Sequence, residues 1–443
     1  MENLLSARGS DLKRELSLFD TVMIVVGNVV GIGIFTTTGI LAQELPDAQY
    51  ILIIWVIGGI LTLCGALTYG ELGSAFPYAG GDYVYLRNIY GSWAGFLLGW
   101  VSFFIINPGS IAALSLGFAK YLLPLFFGRE YQLWEEKSLA VFFLLLISVI
   151  NYLGVKQASR LQNLCSGFNL IIIFLMLFSG FIWGSGNLDH FSFSSKGLFL
   201  GDLFGSAMIA VIFTYSGWFV SAYVASEIKN PEKNLPLSLI LSSLIVTIVY
   251  VLMNIFYIYA LPIPEMKGII EIASFACGSL FSPRATMIVS LAILLAILGS
   301  LNSVILTAPR IYYAMAKDGI FFKKAGTIHS HYKTPYVSII FQAIISSFMV
   351  LWGNFYQLLT YVVFIMLITS IATALGVFVL RFRCPKLKRP YKVWGYPYTT
   401  FIFLAFYLWI ALKVLIEKPY ESILGIAITL SGIPFYVYWR KKK

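Results

Sequence analysis

Apolar runs long enough to cross a bilayer recur along almost the entire chain, and no other feature restricts its fold as severely. A crossing helix takes about 20 residues. Inside hydrocarbon, every backbone N–H and C=O must find its partner within the protein. Twelve such runs can be read, at roughly 18–45, 50–75, 92–124, 137–154, 160–184, 201–227, 236–261, 283–316, 335–352, 355–381, 397–416 and 420–439. They predict an all-α polytopic membrane protein with twelve transmembrane helices. With 59% hydrophobic and 12% charged residues among 443, no stretch is left for a separate soluble domain. Arg8, Asp11, Lys13, Arg14 and Glu15 precede the first run, and no short apolar region with a small-residue cleavage site follows. The first run is therefore expected to stay as a span and not to leave as a signal peptide.

The basic residues orient the spans. Lys and Arg number 22 in the N-terminal tail, the C-terminus and the loops on their side, against 5 in the opposite loops. Lys120, Arg284, Arg310 and Lys413 lie within spans or near their ends. The positive-inside rule then puts both termini in the cytoplasm of a multi-pass protein of the plasma (inner) membrane. The same distribution assigns the net charge of +11 to topology and not to nucleic acid. Residues 76–91 mix aromatics with turn residues, as an interfacial segment would. Residues 381–392 carry six basic side chains beside Pro385 and Pro390, which suits either a topology determinant or contact with anionic headgroups. Cys64, Cys165, Cys277 and Cys384 are scattered, with no spacing of a metal site or disulfide framework.

Two spans are interrupted. Gly27, Gly31 and Gly33 sit in the first, where each costs a helix roughly 1 kcal/mol against Ala. Ser216 and Gly217, flanked by aromatics, interrupt the sixth. Gly27 and Gly31 alone also fit a GxxxG packing face. Two breaks five spans apart point instead to two five-helix repeats, 18–184 and 201–381, meeting at a midplane site. An odd number of spans per repeat inverts the second copy. Residues 1–17 form the cytoplasmic tail, 397–439 two further helices and 440–443 a basic cytoplasmic end. Half-helix N-termini offer N–H groups to a carboxylate, and the unpaired carbonyls at the other broken ends accept from an ammonium group.

Several stretches together resemble the L-type amino acid transporter family of the amino acid–polyamine–organocation superfamily. They are Gly31-Ile32-Gly33-Ile34-Phe35, Gly65 to Gly73, Gly80-Gly81-Asp82-Tyr83, Phe213 to Trp218 with Glu227 to Pro231 and Asn234-Leu235-Pro236, Gly299 to Ser303, Arg389 to Lys392, and Ser431 to Pro434. The resemblance covers about Leu16 to Trp439. It implies a LeuT-type fold, a 5+5 inverted repeat with discontinuous helices 1 and 6 and the last two helices outside the repeats. It also implies a prokaryotic exchanger of neutral amino acids by alternating access. Carried over, the backbone around Gly31, Ile32 and Gly33 becomes the carboxylate site. The carbonyls of Val29, Phe213 and Ser216, beside Gly217, become the ammonium site. Phe213 becomes the aromatic that closes over substrate, and Ser110 lines the side-chain pocket.

Three departures from the family pattern stand out. Ile32 replaces a usual Ser, which removes a hydroxyl donor. Asn169 stands where many members carry a Lys in the fifth span, so coupling or rate control at that position is open. Residues 125–136 lack the Cys that tethers eukaryotic members to a heavy chain, so a carrier without a disulfide-linked partner is expected.

Drivers and rivals follow from what the spans hold. A sodium-coupled relative would place an amide where this chain has Ile34. Ser300 and Ser303 could add oxygen ligands, although Ser in a membrane helix more often bonds its own backbone. Glu71 and Glu227 lie near cytoplasmic ends, as gate or loop-pairing residues would, and not at a midplane proton site. No charge falls in 29–35, 105–110 or 213–218, which favours a neutral substrate. Sodium-independent exchange is the expected mechanism. Proton- or sodium-coupled symport, or a receptor that binds without turnover, are the alternatives. An embedded enzyme is disfavoured because His190, His329 and His331 all lie in loops. A channel is disfavoured because no filter motif is evident. No cofactor or metal is expected.

Overall fold

The computed structural model describes residues 12–127, 131–192, 202–281, 286–352 and 355–442. Residues 1–11 of the tail and 128–130 of the loop after the third span lie outside the described residues. In chain order the helices are α1 (Leu18–Val29), α2 (Gly33–Glu44), α3 (Ala48–Ala75), α4 (Asp82–Tyr90), α5 (Ser92–Val101), α6 (Asn107–Phe127), α7 (Leu133–Tyr152), α8 (Val155–Trp183) and α9 (Asp202–Thr214). They continue as α10 (Pro231–Ala260), α11 (Ile263–Met266), α12 (Ile272–Leu280), α13 (Thr286–Thr307), α14 (Pro309–Lys317), α15 (Tyr336–Trp352), α16 (Phe355–Arg383), α17 (Tyr398–Glu417), α18 (Pro419–Leu430) and α19 (Gly432–Lys441). A π-helical turn, Ser102–Ile106, joins α5 to α6, and a 3₁₀ segment, Val220–Glu227, follows α9.

Local chemistry starts these helices where they start. Ser17 caps α1 with a capping box: Asp20 N donates to Ser17 Oγ at 3.2 Å while Ser17 N donates to Asp20 Oδ2 at 2.9 Å. Pro231 opens α10, where its missing N–H costs nothing. The interrupted first span forms the middle of the bundle. Helix α1 packs against α8, α10 and α13, and α10 runs along α3. The outer helices keep large apolar side chains exposed, among them Phe174, Phe178 and Trp183 on α8, Phe348 and Trp352 on α15, and Phe401 and Leu408 on α17. In water such surface would be a liability, but against lipid tails it is matched.

Nine helical stretches among the described residues are long and apolar enough to cross a membrane. The ninth run of the sequence is a shorter apolar helix, Tyr336–Trp352. The fourth carries Glu135, Glu136 and Lys137 near its start, and the sixth is broken at Thr214. Charge at a helix start and a mid-span break both shorten the uninterrupted apolar stretch, so helix length does not reproduce the count of twelve.

Two loop expectations change. Residues 76–91 are packed into the protein more deeply than an interfacial segment requires: Tyr83, Val84, Tyr85, Leu86 and Ile89 of α4 are buried. Tyr83 Oη donates to Asp318 Oδ2 at 2.6 Å, which draws the segment under the bundle. Of the six basic residues in 381–392, Arg381 and Arg389 turn inward to Glu71, with N···O distances of 2.5 and 3.2 Å. Arg389 also donates to the carbonyls of Leu380 and Cys384, each at 3.0 Å, closing the end of α16.

Candidate functional site

The two breaks face one another. Helix α1 stops because Val30 (φ −74°, ψ 72°) folds an inverse γ-turn, with Gly31 N donating to Val29 O at 2.7 Å. Helix α2 starts at Gly33 with no side-chain cap, and the first bond back is Phe35 N to Ile32 O at 3.1 Å. Among the described residues the N–H groups of Ile32, Gly33 and Ile34 therefore have no backbone acceptor, and the positive end of a 12-residue helix points into the gap. At the second break, Ser216 N donates to Phe213 O at 3.0 Å and Gly217 takes a left-handed backbone (φ +86°).

Side chains stitch these ends together. Asn28 Nδ2 donates to Gly217 O at 3.2 Å, and the hydroxyls of Thr37 and Thr214 are 2.8 Å apart. Gly33 lies so close to Thr214 that a Cβ there would come within 2.7 Å of its methyl group. The hydroxyl of Tyr250, on α10, lies 2.6 Å from Val29 O and 3.1 Å from Thr214 O. One phenolic proton thus serves a carbonyl from each break. Tyr250→Phe is expected to leave a buried carbonyl without a donor and to lower stability by about 1–3 kcal/mol. Thermal unfolding of the solubilised protein reads this directly, and an unchanged midpoint would remove the hydroxyl from the account.

The residues singled out in the sequence distribute as follows. Gly31, Ile32, Gly33, Ser110, Phe213 and Ser216 are half-buried, whereas Val29 and Gly217 are buried. Phe213 and Ser216 line a mainly apolar cavity with Ile209, Ile212, Trp218 and Phe219, completed by Met366, Leu367 and Ser370 of α16 and Tyr407 and Ile410 of α17. Val29 O is already engaged twice, by Gly31 N and Tyr250 Oη. Ser110 follows the π-helical turn of the third span, and its Oγ donates to its own Ile106 O at 2.7 Å, not to either break. Asn169 is 2% exposed on α8, and its Oδ1 has no partner among the described residues.

Ser300 and Ser303 depart from expectation. They bond across to the first span, not to their own helix: Ser300 Oγ reaches Gly27 O at 3.0 Å and Asn28 O at 3.2 Å, and Ser303 Oγ reaches Ile24 O at 3.1 Å. Close approach makes this possible. A Cβ on Gly31 would be 3.0 Å from Ser300 Oγ, and one on Gly27 would be 2.0 Å from both Gln162 Nε2 and Ser166 Oγ. The glycines of the first span therefore both break it and admit its neighbours. Glu227 pairs with Arg310, and Glu71 with Arg381 and Arg389. Among the described residues no group of three His, Cys, Asp or Glu side chains is placed to hold a metal ion.

Sequence reading missed Tyr250 and its helix neighbours. Tyr250, Asn254 and Tyr257 stand at i, i+4 and i+7, one face of α10. Asn254 Oδ1 accepts from Thr38 Oγ1 at 2.6 Å, and Tyr257 Oη donates to Ile34 O at 3.1 Å. A polar stripe at that spacing in an otherwise apolar span was the available signal.

The profile of the family described as amino acid permease matches residues 16–425. The serine/threonine exchanger SteT of Bacillus subtilis (strain 168) is 33% identical over 436 residues, covering 98% of this chain and 98% of that protein. The human large neutral amino acids transporter small subunit 2 is 32% identical over 448 residues, covering 98% and 82%. The human b(0,+)-type amino acid transporter 1 is 31% identical over 438 residues, covering 96% and 88%. With a family match over most of its length and relatives that are carriers and not enzymes, this chain belongs to the amino acid permease family of the amino acid–polyamine–organocation superfamily.

Proposed function

We propose that the protein is a sodium-independent exchanger of neutral L-amino acids that works by alternating access in the plasma membrane. In this reading the chain crosses twelve times with both termini in the cytoplasm. Residues 18–184 and 201–381 are its inverted repeats, and it acts without a disulfide-linked heavy chain. The observation that carries the reading is the pair of facing breaks, with three unpaired N–H groups at Ile32, Gly33 and Ile34 on one side. A substrate carboxylate takes those donors at the start of α2. The ammonium group takes the carbonyls of Val29, Phe213 and Ser216. Tyr250 makes room for it: its proton turns to Thr214 O, 3.1 Å away, and Val29 O keeps only the Gly31 N donor, leaving a lone pair for the ammonium. Phe213 closes over the bound molecule, whose side chain lies toward Ser110 and the apolar cavity behind Ser216. No charged residue occupies 29–35 or 213–218, so a neutral side chain fits and an ionised one would be left unpaired. Asn169 carries no charge, which leaves the position without a fixed cation beside the first span. A serine/threonine exchanger among the relatives supports small neutral substrates.

The test is uptake of labelled serine, alanine and leucine into proteoliposomes, loaded with or empty of unlabelled amino acid, with and without sodium and proton gradients. Uptake that requires internal amino acid and ignores both gradients is expected. Gradient-driven uptake into empty vesicles would establish a symporter instead, and binding without flux would establish a receptor. Phe213→Ala is expected to slow exchange at least about tenfold by loosening the closed state. Unchanged turnover would remove its gating role.

A further inference from the structure

Among the described residues, no Lys or Arg pairs with the Asp82 carboxylate. Asp82 is 1% exposed, the first residue of α4, where the loop under the bundle meets three other elements. Tyr223 Oη donates to Asp82 Oδ2 at 2.9 Å from the 3₁₀ segment below the second break, and Thr373 Oγ1 donates to Oδ1 at 3.0 Å from α16. Tyr69 Oη of α3 faces the same carboxylate, where its hydroxyl favours the charged form, and Tyr85 Oη on α4 is buried without a partner among the described residues. The charged groups on the surrounding elements are engaged elsewhere. Glu71 of α3 is held by Arg381 and Arg389, Glu227 by Arg310 of α14, and Arg87 of α4 by Asp318. Lys317 of α14 lies over the Tyr313 ring, and Arg383 of α16 interacts with Tyr90.

The loop carrying Asp82 clamps the lower half of the sixth span. Gly80 N donates to Tyr223 O at 3.0 Å and Ala79 N to Ser226 Oγ at 2.8 Å. Gly81 (φ +49°) comes so close that a Cβ would stand 2.1 Å from the Tyr223 ring. A path that opened between this loop and the sixth span would break these contacts.

We propose that Asp82 is a proton-binding latch: protonated, it holds the 76–91 loop against the sixth span and keeps the cytoplasmic path shut, and it releases the proton as the path opens. This inference rests on the alternating-access reading above. The closed arrangement favours a neutral acid, because the carboxyl is buried and no Lys or Arg among the described residues is placed to balance a carboxylate there. Burial pushes the Asp82 carboxyl up from 3.8 to about 6, and the donors around it offset only part of that rise. Once water reaches it the group returns toward its ordinary value, so acid favours the closed state and neutral pH favours opening. The proton enters and leaves on one face of the membrane, and it regulates exchange without being carried across.

Exchange in proteoliposomes held at equal pH on both sides tests this. A shift from 3.8 to about 6 predicts that lowering the pH from about 7 to about 5 slows wild-type exchange about tenfold. Asp82→Asn, permanently neutral, is expected to be slow at both values and flat between them. Tyr223→Phe removes a donor to the carboxylate, so its acid midpoint should move upward. Infrared titration of the solubilised protein supplies a second readout: a protonated-carboxyl band appears on acidification of the wild type and is missing in Asp82→Asn. An Asp82→Asn protein with the wild-type pH profile would overturn the latch, and so would an unchanged infrared titration. Failure of wild type to exchange at any pH would overturn the exchanger reading, leaving the infrared band to decide Asp82.

Discussion

Glu227→Gln is expected to destabilise the protein by about 3–5 kcal/mol, the typical result of removing one partner from a buried ion pair. Glu227 and Arg310 are 1% and 0% exposed at the side chain. The pairing is bidentate, Arg310 Nε to Oε2 and Nη2 to Oε1, both at 2.8 Å. Glutamine keeps the shape but leaves the guanidinium charge uncompensated where water cannot solvate it. The loss spreads beyond the pair. Leu16 N donates to Glu227 O at 2.9 Å and Lys229 N to Leu16 O at 2.9 Å, so this corner also ties the chain before α1 to the end of the sixth span. Thermal unfolding of the detergent-solubilised variant measures the effect. The double variant Glu227→Gln with Arg310→Met is expected to recover most of it, because no buried charge is then left alone. A single variant as stable as wild type would show that the pair is hydrated in the membrane-embedded protein.

Gly217→Ala should leave the fold intact and lower exchange by at least about tenfold, since a left-handed backbone costs an L-residue roughly 1–2 kcal/mol and the geometry lost is that of the site itself. The added Cβ would fall 2.0 Å from Asn28 Nδ2 and push away the amide that donates to Gly217 O across the two breaks. Valine should be worse than alanine. Gly167 of α8 is the internal control: a Cβ there meets nothing within 4 Å, so Gly167→Ala is expected to be neutral or mildly stabilising. If Gly217→Ala exchanges like Gly167→Ala, the sixth-span break does not hold the site geometry.

Membrane class, helical architecture and the two breaks were legible in the residues because each is written locally. Apolar length, and the cost of Gly27, Gly31, Gly33 and Gly217 to a helix, do not depend on what lies opposite. Ile32, Gly33, Phe213 and Ser216 could be placed at or beside those breaks for the same reason. Partners were not legible. Ser300 donates to Gly27 O and not to its own helix because Gly31 and Gly27 let two helices approach closely. Tyr250 reaches Val29 O from 221 positions along the chain and Thr214 O from 36. Arg381 and Arg389 of a loop that reads as basic surface are drawn in by Glu71, more than 300 residues away. Residues 76–91 read as interfacial, yet α4 is buried because Asp318, Tyr223 and Thr373 supply partners to Tyr83 and Asp82. The sequence by itself determined that this chain lives in a membrane as helices and where two of them break. Which donor meets which acceptor was decided by the tertiary structure alone, because in hydrocarbon a polar side chain must take whichever group the neighbouring helix brings within reach.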